Sequence, residues 1–305
     1  MTERGFDMVG PPTWKEAVRG QASASLFDNA QAFLNEGLNL LFASNTSKNT
    51  WKIAVVAIQT AVELFAKFRL VSECGLEAFV LGNTTYSDFQ SGSFRSLGFG
   101  KVIEKLEDVE IFDEDDLDII REVQELRNKL VHFSIETTPQ KANLNCLTLL
   151  VRALTLFADR HHWNSGEMSD YRRFLTEDNY SRLIFSEDYR AEAYDFASGK
   201  LDYSDIFRCW HCENETLGYF DSENYYCFCC GFSINSDSVG FTKCAHCGHR
   251  DGVYFDSLNL TAGFHFGKCG YCENKQFVYN CLACEGFQAV TDMSSIERCL
   301  NCSNE

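Results

Sequence analysis

Residues 209–230 read CWHCENETLGYFDSENYYCFCC, residues 244–272 read CAHCGHRDGVYFDSLNLTAGFHFGKCGYC, and residues 281–302 read CLACEGFQAVTDMSSIERCLNC. Cys-x-x-Cys recurs six times in them, as Cys209/Cys212, Cys227/Cys230, Cys244/Cys247, Cys269/Cys272, Cys281/Cys284 and Cys299/Cys302. Thirteen of the 15 cysteines of the chain fall between positions 209 and 302. A Cys-x-x-Cys turn presents two sulfurs on one side of a tight knuckle, and zinc prefers four sulfurs in tetrahedral array. Six pairs supply three four-cysteine sites, so three Zn2+ ions are expected. Four thiolates close the coordination sphere and leave no position for a reactive water, which makes the expected ions structural. Small segments with little core draw much of their folding energy from such a metal. Gly231, Gly248 and Gly270 stand beside ligands, where small residues help the turn.

Other uses of paired cysteines fit less well. A disulfide framework wants an oxidising compartment and a secretory signal, and a thioredoxin-like motif is one Cys-x-x-Cys after a strand rather than six in series. The usual ferredoxin spacing is absent. Cys229 adjoins Cys230 and competes with it, but Cys230 keeps the regular spacing. His211, His246, His249 and His265 lie near the knuckles and, with the cysteine set complete, read as surface groups or neighbours of the ligands. Cys74 and Cys146 lie in apolar helical stretches and read as core thiols.

Sites formed from consecutive pairs enclose 14, 21 and 14 residues. The spacers carry strand-like aromatics, among them Tyr219–Phe220, Tyr225–Tyr226, Tyr254–Phe255, Phe264, Phe266 and Phe287. A short hairpin between two knuckles is the zinc-ribbon plan, and residues 209–305 resemble a tandem array of three zinc ribbons. Interleaved pairing, as in cross-brace folds, satisfies the same spacing, so the pairing stays open at this level.

The chain has 305 residues, of which 45% are hydrophobic and 14% aromatic, enough for two or three domains with packed cores. Three prolines and no low-complexity tract argue against a long disordered region. The opening MTERGFDMVGPPTW lacks the basic and apolar regions of a signal peptide, and apolar runs such as Ile53–Ile58 are too short to span a bilayer. A cytoplasmic protein with reduced thiols and no membrane partner is therefore expected. The formal charge is −17. Residues 1–165 hold 16 Lys and Arg against 22 Asp and Glu, and residues 166–305 hold 11 against 22. Neither half offers the basic surface from which nucleic-acid affinity usually comes, so any RNA contact must use a small local patch.

Residues 13–164 read as helices with no alternating strand pattern, which predicts a helical bundle. Trp14–Ala43 carries apolar residues at helical intervals, including Ala17, Val18, Ala30, Phe33, Leu34 and Leu38. Ser44–Asn49 breaks the pattern, and a second helix runs from about Asn49 to Cys74 with Ile53, Ala57, Ala61, Leu64 and Phe65 on a wide apolar face. Gly75 to about Ser96 reads as a loop, and a short helix covers Phe99–Leu106. The acidic run Asp113–Asp118 suits the start of a fourth helix, reaching about Phe133, because negative charge favours a helix N-terminus. Pro139 begins a fifth, to about His162. The fold class expected is α plus small zinc-stabilised β: a helical domain over 1–164, a helical bridge over 165–208 with no sharp boundary, and the ribbon region over 209–305.

Near the end of the fourth helix stands Arg127-Asn128-Lys129-Leu130-Val131-His132. On a wheel at ~100° per residue, Leu117, Ile120, Val123, Leu126 and Leu130 form the apolar face and His132 points away from it. Asn128 lies one turn behind on the same side, and Arg127 sits at the border with a stem that can swing. By itself this is the pattern of a solvated helical face. It also resembles the R-x4-6-H motif of the HEPN superfamily (higher eukaryotes and prokaryotes nucleotide-binding), in which a polar residue often follows the arginine. Ala61–Lys67 in the second helix is similar to the family as well, and the resemblance covers roughly residues 13–164.

The resemblance implies a metal-independent endoribonuclease acting as a homodimer, with Arg127, Asn128 and His132 of two subunits forming one composite cleft on RNA. It implies 2′,3′-cyclic phosphate products, and a biological role as a toxin or antiviral defence effector. The ribbons would then recognise substrate, or a protein partner or inhibitor. The acidic charge keeps a second reading open: a non-catalytic zinc-ribbon adaptor, or an RNA- or nucleotide-binding regulator, whose helical domain only dimerises.

Overall fold

Thr13 opens the first helix. Its side chain accepts a hydrogen bond from the Glu16 amide at 3.3 Å, and the Glu16 carboxylate accepts from the Thr13 amide at 2.6 Å. This reciprocal box satisfies two of the amides that a helix start leaves without partners. Thr13→Ala should lower the stability of the helical unit by ~1 kcal/mol, read as a shift in the midpoint of its urea unfolding with unchanged slope.

The structure is a computed structural model that describes residues 13–43, 50–109, 117–118, 120–121, 124–125, 138–157, 170–201, 206–209, 211–219, 224–235, 239–256, 264–281, 283–284 and 286–292. The chain divides into two compact units, Met1–Phe157 with Phe174–Asn179, and Ala158–Arg173 with Tyr180–Glu305. The first contains α1 (Trp14–Leu41), α2 (Thr50–Cys74), α3 (Tyr86–Gln90), α4 (Phe99–Asp108) and α5 (Pro139–Phe157).

Helices α1 and α2 form the centre of this unit. Ala30, Leu34 and Leu38 of α1 and Ala54, Ile58, Ala61 and Phe65 of α2 are buried. Their small residues let the helices close: a Cβ on Gly37 would stand 2.7 Å from Ile58 Cγ1 and 3.2 Å from its backbone nitrogen. Phe65 joins the layers, with ring centroids 5.5 Å from Phe157 and 5.2 Å from Phe174. Asn35 holds the Phe174–Asn179 segment in place. It donates to the Phe174 carbonyl at 3.0 Å and accepts from the Thr176 amide at 2.8 Å.

Several expectations need correction. The stretch read as a loop after Gly75 contains a 3-10 turn, Leu76–Ala78, and the helix α3. Thr85 and Asp88 form a capping box on α3, a signal present in the sequence as Thr85-Tyr86-Ser87-Asp88. Cys74 is exposed rather than a core thiol, because it ends α2 on its outer side. Phe33 and Ile53, placed on apolar faces by periodicity, are exposed at 45% and 59%. Cys146 is a core thiol, and burial pushes its pKa up to about 12.

Of the expected fourth helix, Leu117, Asp118, Ile120, Arg121, Gln124 and Glu125 are described and helical. Leu117 and Ile120 are buried, whereas Asp118, Arg121 and Glu125 are exposed. Arg121 pairs with Glu107 at 3.3 Å and Asp118 at 3.0 Å.

In the second unit, a 3-10 turn (Asp170–Arg173), the helix α6 (Glu177–Ile184) from Tyr180 on, and α7 (Glu187–Lys200) precede the strands. A four-stranded antiparallel sheet runs in the order β1 (Phe207–Arg208), β2 (Glu215–Tyr219), β3 (Asn224–Cys227), β4 (Ser233–Asn235). A five-stranded antiparallel sheet follows with β5 (Val239–Thr242), β6 (Val253–Asp256), β7 (His265–Cys269), β8 (Lys275–Asn280) and β9 (Phe287–Val290). Helix α7 packs on the first sheet through Phe196, edge-on to Phe228 at 5.4 Å. The described strands thus form two sheets rather than three separate ribbons, and β8 serves both as the last strand of the second ribbon and as the entry to the Cys281 knuckle.

Candidate metal centres

Each described Cys-x-x-Cys pair bends the same way. The amide of the first cysteine donates to the carbonyl five residues on: Cys209 to Asn214 at 2.8 Å, Cys227 to Phe232 at 2.8 Å, Cys244 to His249 at 2.9 Å, Cys269 to Asn274 at 3.0 Å and Cys281 to Gly286 at 2.9 Å. In the first four knuckles the residue after the second cysteine has positive φ: Glu213 at 64°, Gly231 at 71°, Gly248 at 73° and Glu273 at 63°. Gly231 and Gly248 therefore help the turn as expected. Gly270 lies inside its knuckle, and the left-handed position there falls to Glu273. At Gly231 space is an added constraint, since a Cβ would stand 2.4 Å from the Tyr171 ring.

The knuckles meet two by two. Cys209, Cys212, Cys227 and Cys230 bring their sulfurs within 4.8 Å of one another, as do Cys244, Cys247, Cys269 and Cys272. Pairing is sequential, which removes the interleaved alternative for these eight cysteines. Sulfur separations are 3.8 Å for Cys209–Cys230, 3.6 Å for Cys212–Cys227, 3.6 Å for Cys244–Cys272 and 3.7 Å for Cys247–Cys269. Four sulfurs bound ~2.3 Å from one tetrahedral zinc lie about 3.8 Å apart, whereas a disulfide needs about 2.0 Å. Both tetrads are therefore compatible with zinc. Cys281 is buried and Cys284 exposed, and their knuckle has the shared closing bond. The remaining pair of the third expected site, Cys299 and Cys302, lies outside the described residues, as do Arg127, Asn128 and His132.

The surroundings favour charged sulfur at chosen positions. Desolvation alone would raise the Cys244 thiol, but the Cys247 amide, the Gln276 side chain and the His246 amide hold it down at about 6. Gln276 Nε2 reaches Cys244 Sγ at 2.9 Å. In the first tetrad, burial pushes Cys209 and Cys230 well above the ordinary thiol value, while hydrogen bonds from Cys209, Cys227 and their neighbours pull Cys212 far below it. Cys229 stays out of the tetrad, 4.0 Å from the Ile184 carbonyl; its hydrogen bond to Cys212 and its burial both raise its pKa.

None of the four nearby histidines belongs to either tetrad. His211 is half-buried, with Nδ1 3.4 Å from the Tyr180 hydroxyl. His249 stacks on Tyr271 at 3.5 Å, and His246 is exposed. His265 is buried against Phe255 at 5.3 Å, which leaves, of its two readings, the neighbour of the ligands rather than the surface group.

Sequence reading missed the supporting residues. Thr216 Oγ1 lies 3.2 Å from Cys227 Sγ, and Gln276 touches Cys244, each reaching from one knuckle to the opposite one. Thr216 and Gln276 stand at the same place in a short repeat, Arg208-Cys-x-x-Cys-Glu213-Asn214-x-Thr216 and Lys268-Cys-x-x-Cys-Glu273-Asn274-x-Gln276. That repeat was the available signal.

The fold and its centres define a class: a helical unit in one chain with a strand-rich unit that carries four-cysteine centres. No family model, curated protein or solved structure matches the chain. Among the described residues, no helix is long and apolar enough to cross a membrane.

Proposed function

We propose that this chain is an endoribonuclease of HEPN type that acts as a homodimer through its helical unit, with structural Zn2+ ions organising the strand-rich unit. Cys209, Cys212, Cys227 and Cys230 hold one ion, Cys244, Cys247, Cys269 and Cys272 a second, and Cys281, Cys284, Cys299 and Cys302 a third. When bound, zinc supplies folding free energy and no open position for chemistry.

The ribonuclease reading rests on the motif Arg127–His132, and one observation supports it. On the sequence wheel His132 falls between Arg121 and Glu125, and both of these are exposed while Leu117 and Ile120 are buried. In the described turns that sector is exposed, and a two-fold axis would set such a patch opposite itself. RNA brings its own nucleophile. The 2′-oxygen attacks phosphorus, the bond to the 5′-oxygen breaks, and a 2′,3′-cyclic phosphate and a 5′-hydroxyl remain. A histidine near neutral pKa accepts the 2′-proton, and one from the partner subunit protonates the leaving oxygen. Arg127 holds the phosphate in two-pronged fashion, and Asn128 donates to it or orients the imidazole.

The test is cleavage of a mixed RNA pool by zinc-loaded protein in buffer without added divalent ions, with mapping of the new ends. A chelator is left out because it would attack the cysteine centres as well. Cyclic phosphate ends made by the wild type and lost in His132→Ala support the reading. Equal cleavage by both proteins removes His132 from the mechanism, and none by either leaves the adaptor reading in its place.

A further inference from the structure

The two described tetrads are joined by a reciprocal pair of ion pairs. Arg208 immediately precedes the ligand Cys209, and Glu213 immediately follows Cys212; Lys268 precedes Cys269, and Glu273 follows Cys272. Arg208, beside the first tetrad, pairs with Glu273, beside the second. Lys268, beside the second, pairs with Glu213, beside the first, at 3.5 Å. Arg208 also reaches Glu213 at 3.7 Å. Each repeat thus offers its cation to the other repeat's glutamate.

These contacts are not ordinary surface pairs. The side chains of Lys268 and Arg208 are only 5% and 18% exposed, so a lost partner strands a cation with little water around it. The glutamates, 52% and 49% exposed at Glu213 and Glu273, stand at the positive-φ position that follows each knuckle. An aromatic seam lies alongside, with Phe207 5.2 Å from Phe241 and 5.8 Å from Tyr254. A knuckle whose metal is absent keeps only its closing amide bond, and a residue with a Cβ then tends to leave the unfavourable left-handed position. Its glutamate is then lost to the other repeat's cation.

We infer that Arg208, Lys268, Glu213 and Glu273 are positioning residues that couple the two centres, so that filling one tetrad raises the metal affinity of the other. The inference rests on the reading of the tetrads as metal sites. Coupling of this kind is reciprocal.

The experiment is a double-mutant cycle on the full chain, read by zinc competition against a chromophoric chelator. Zinc content of the wild type comes first: absence of tightly held zinc would sink the metal reading itself. Site two is then emptied with Cys269→Ser and Cys272→Ser, and the affinity of Cys209, Cys212, Cys227 and Cys230 is followed by their protection from alkylation. Emptying site two should weaken site one by about tenfold with the native charges, and by less than about twofold in a Glu213→Gln, Glu273→Gln background. The charge exchange Arg208→Glu with Glu273→Arg should restore part of the coupling, which a merely structural role would not predict. Equal weakening in both backgrounds, or none in either, overturns the inference while leaving the zinc sites intact.

Discussion

Stripping metal from the reduced protein with a strong chelator is expected to unfold both sheets of the second unit while α1 and α2 keep their amide protection. The first unit has its own core around Ala30, Leu38, Ile58 and Phe65 and uses no cysteine tetrad. The second spends much of its interior on sulfur: seven of the eight tetrad cysteines have at most partial exposure, and all of those in the first tetrad are buried. Cys244, Val253, Phe255, Cys269 and Val278 form one small cluster, so the ligands are also core. A structural zinc of this kind contributes on the order of 10 kcal/mol, comparable with the whole stability of a domain. Without it, burial drives Cys209 and Cys230 towards the protonated thiol, and sulfurs packed at 3.6–3.8 Å lose the ion that would hold them. Cys212→Ser should do the same to the first sheet with zinc present. Hydrogen exchange read separately for β2–β3 and for α2 checks both; unchanged protection in the strands after metal removal would contradict the metal reading.

Legibility differed between the two halves for a physical reason. Metal ligation is a short-range, stereotyped geometry, and six Cys-x-x-Cys pairs announce it with no knowledge of the fold. What spacing could not decide was which knuckles meet. Hairpin pairing decided it, since β2 and β3 set Leu217 opposite Cys227, and β6 and β7 set Val253 opposite Cys269. The glutamates after Cys212 and Cys272 were visible as letters but carried no signal by themselves, because their meaning lies in a left-handed backbone and in cations from the other repeat. In the helical unit, periodicity found α1 and α2 within a few residues. It erred at Phe33 and Ile53, where an apolar residue at the edge of the stripe has no neighbour to cover it. It also missed α3, whose five residues are too few for a period and whose only mark is the Thr85–Asp88 cap.

The proposed chemistry sets the second large expectation: His132→Ala should lower RNA cleavage by ~10^2-fold or more while leaving zinc content and helix content unchanged. General acid–base transfer by a placed histidine is worth about 10^2–10^4-fold, and in the proposed dimer one substitution removes both copies, hence acid and base together. Arg127→Lys separates the roles further. It keeps the charge but loses the planar fork that grips two phosphate oxygens, so cleavage should fall although RNA binding persists. Subunit mixing gives the sharpest discrimination. A heterodimer of His132→Ala with Arg127→Ala assembles one composite cleft that keeps one histidine and one arginine, and its activity should exceed that of the His132→Ala homodimer, which keeps no histidine. Activity in mixtures equal to the average of the two homodimers would mean that each cleft is built within one chain, and the two-fold arrangement would have to be abandoned.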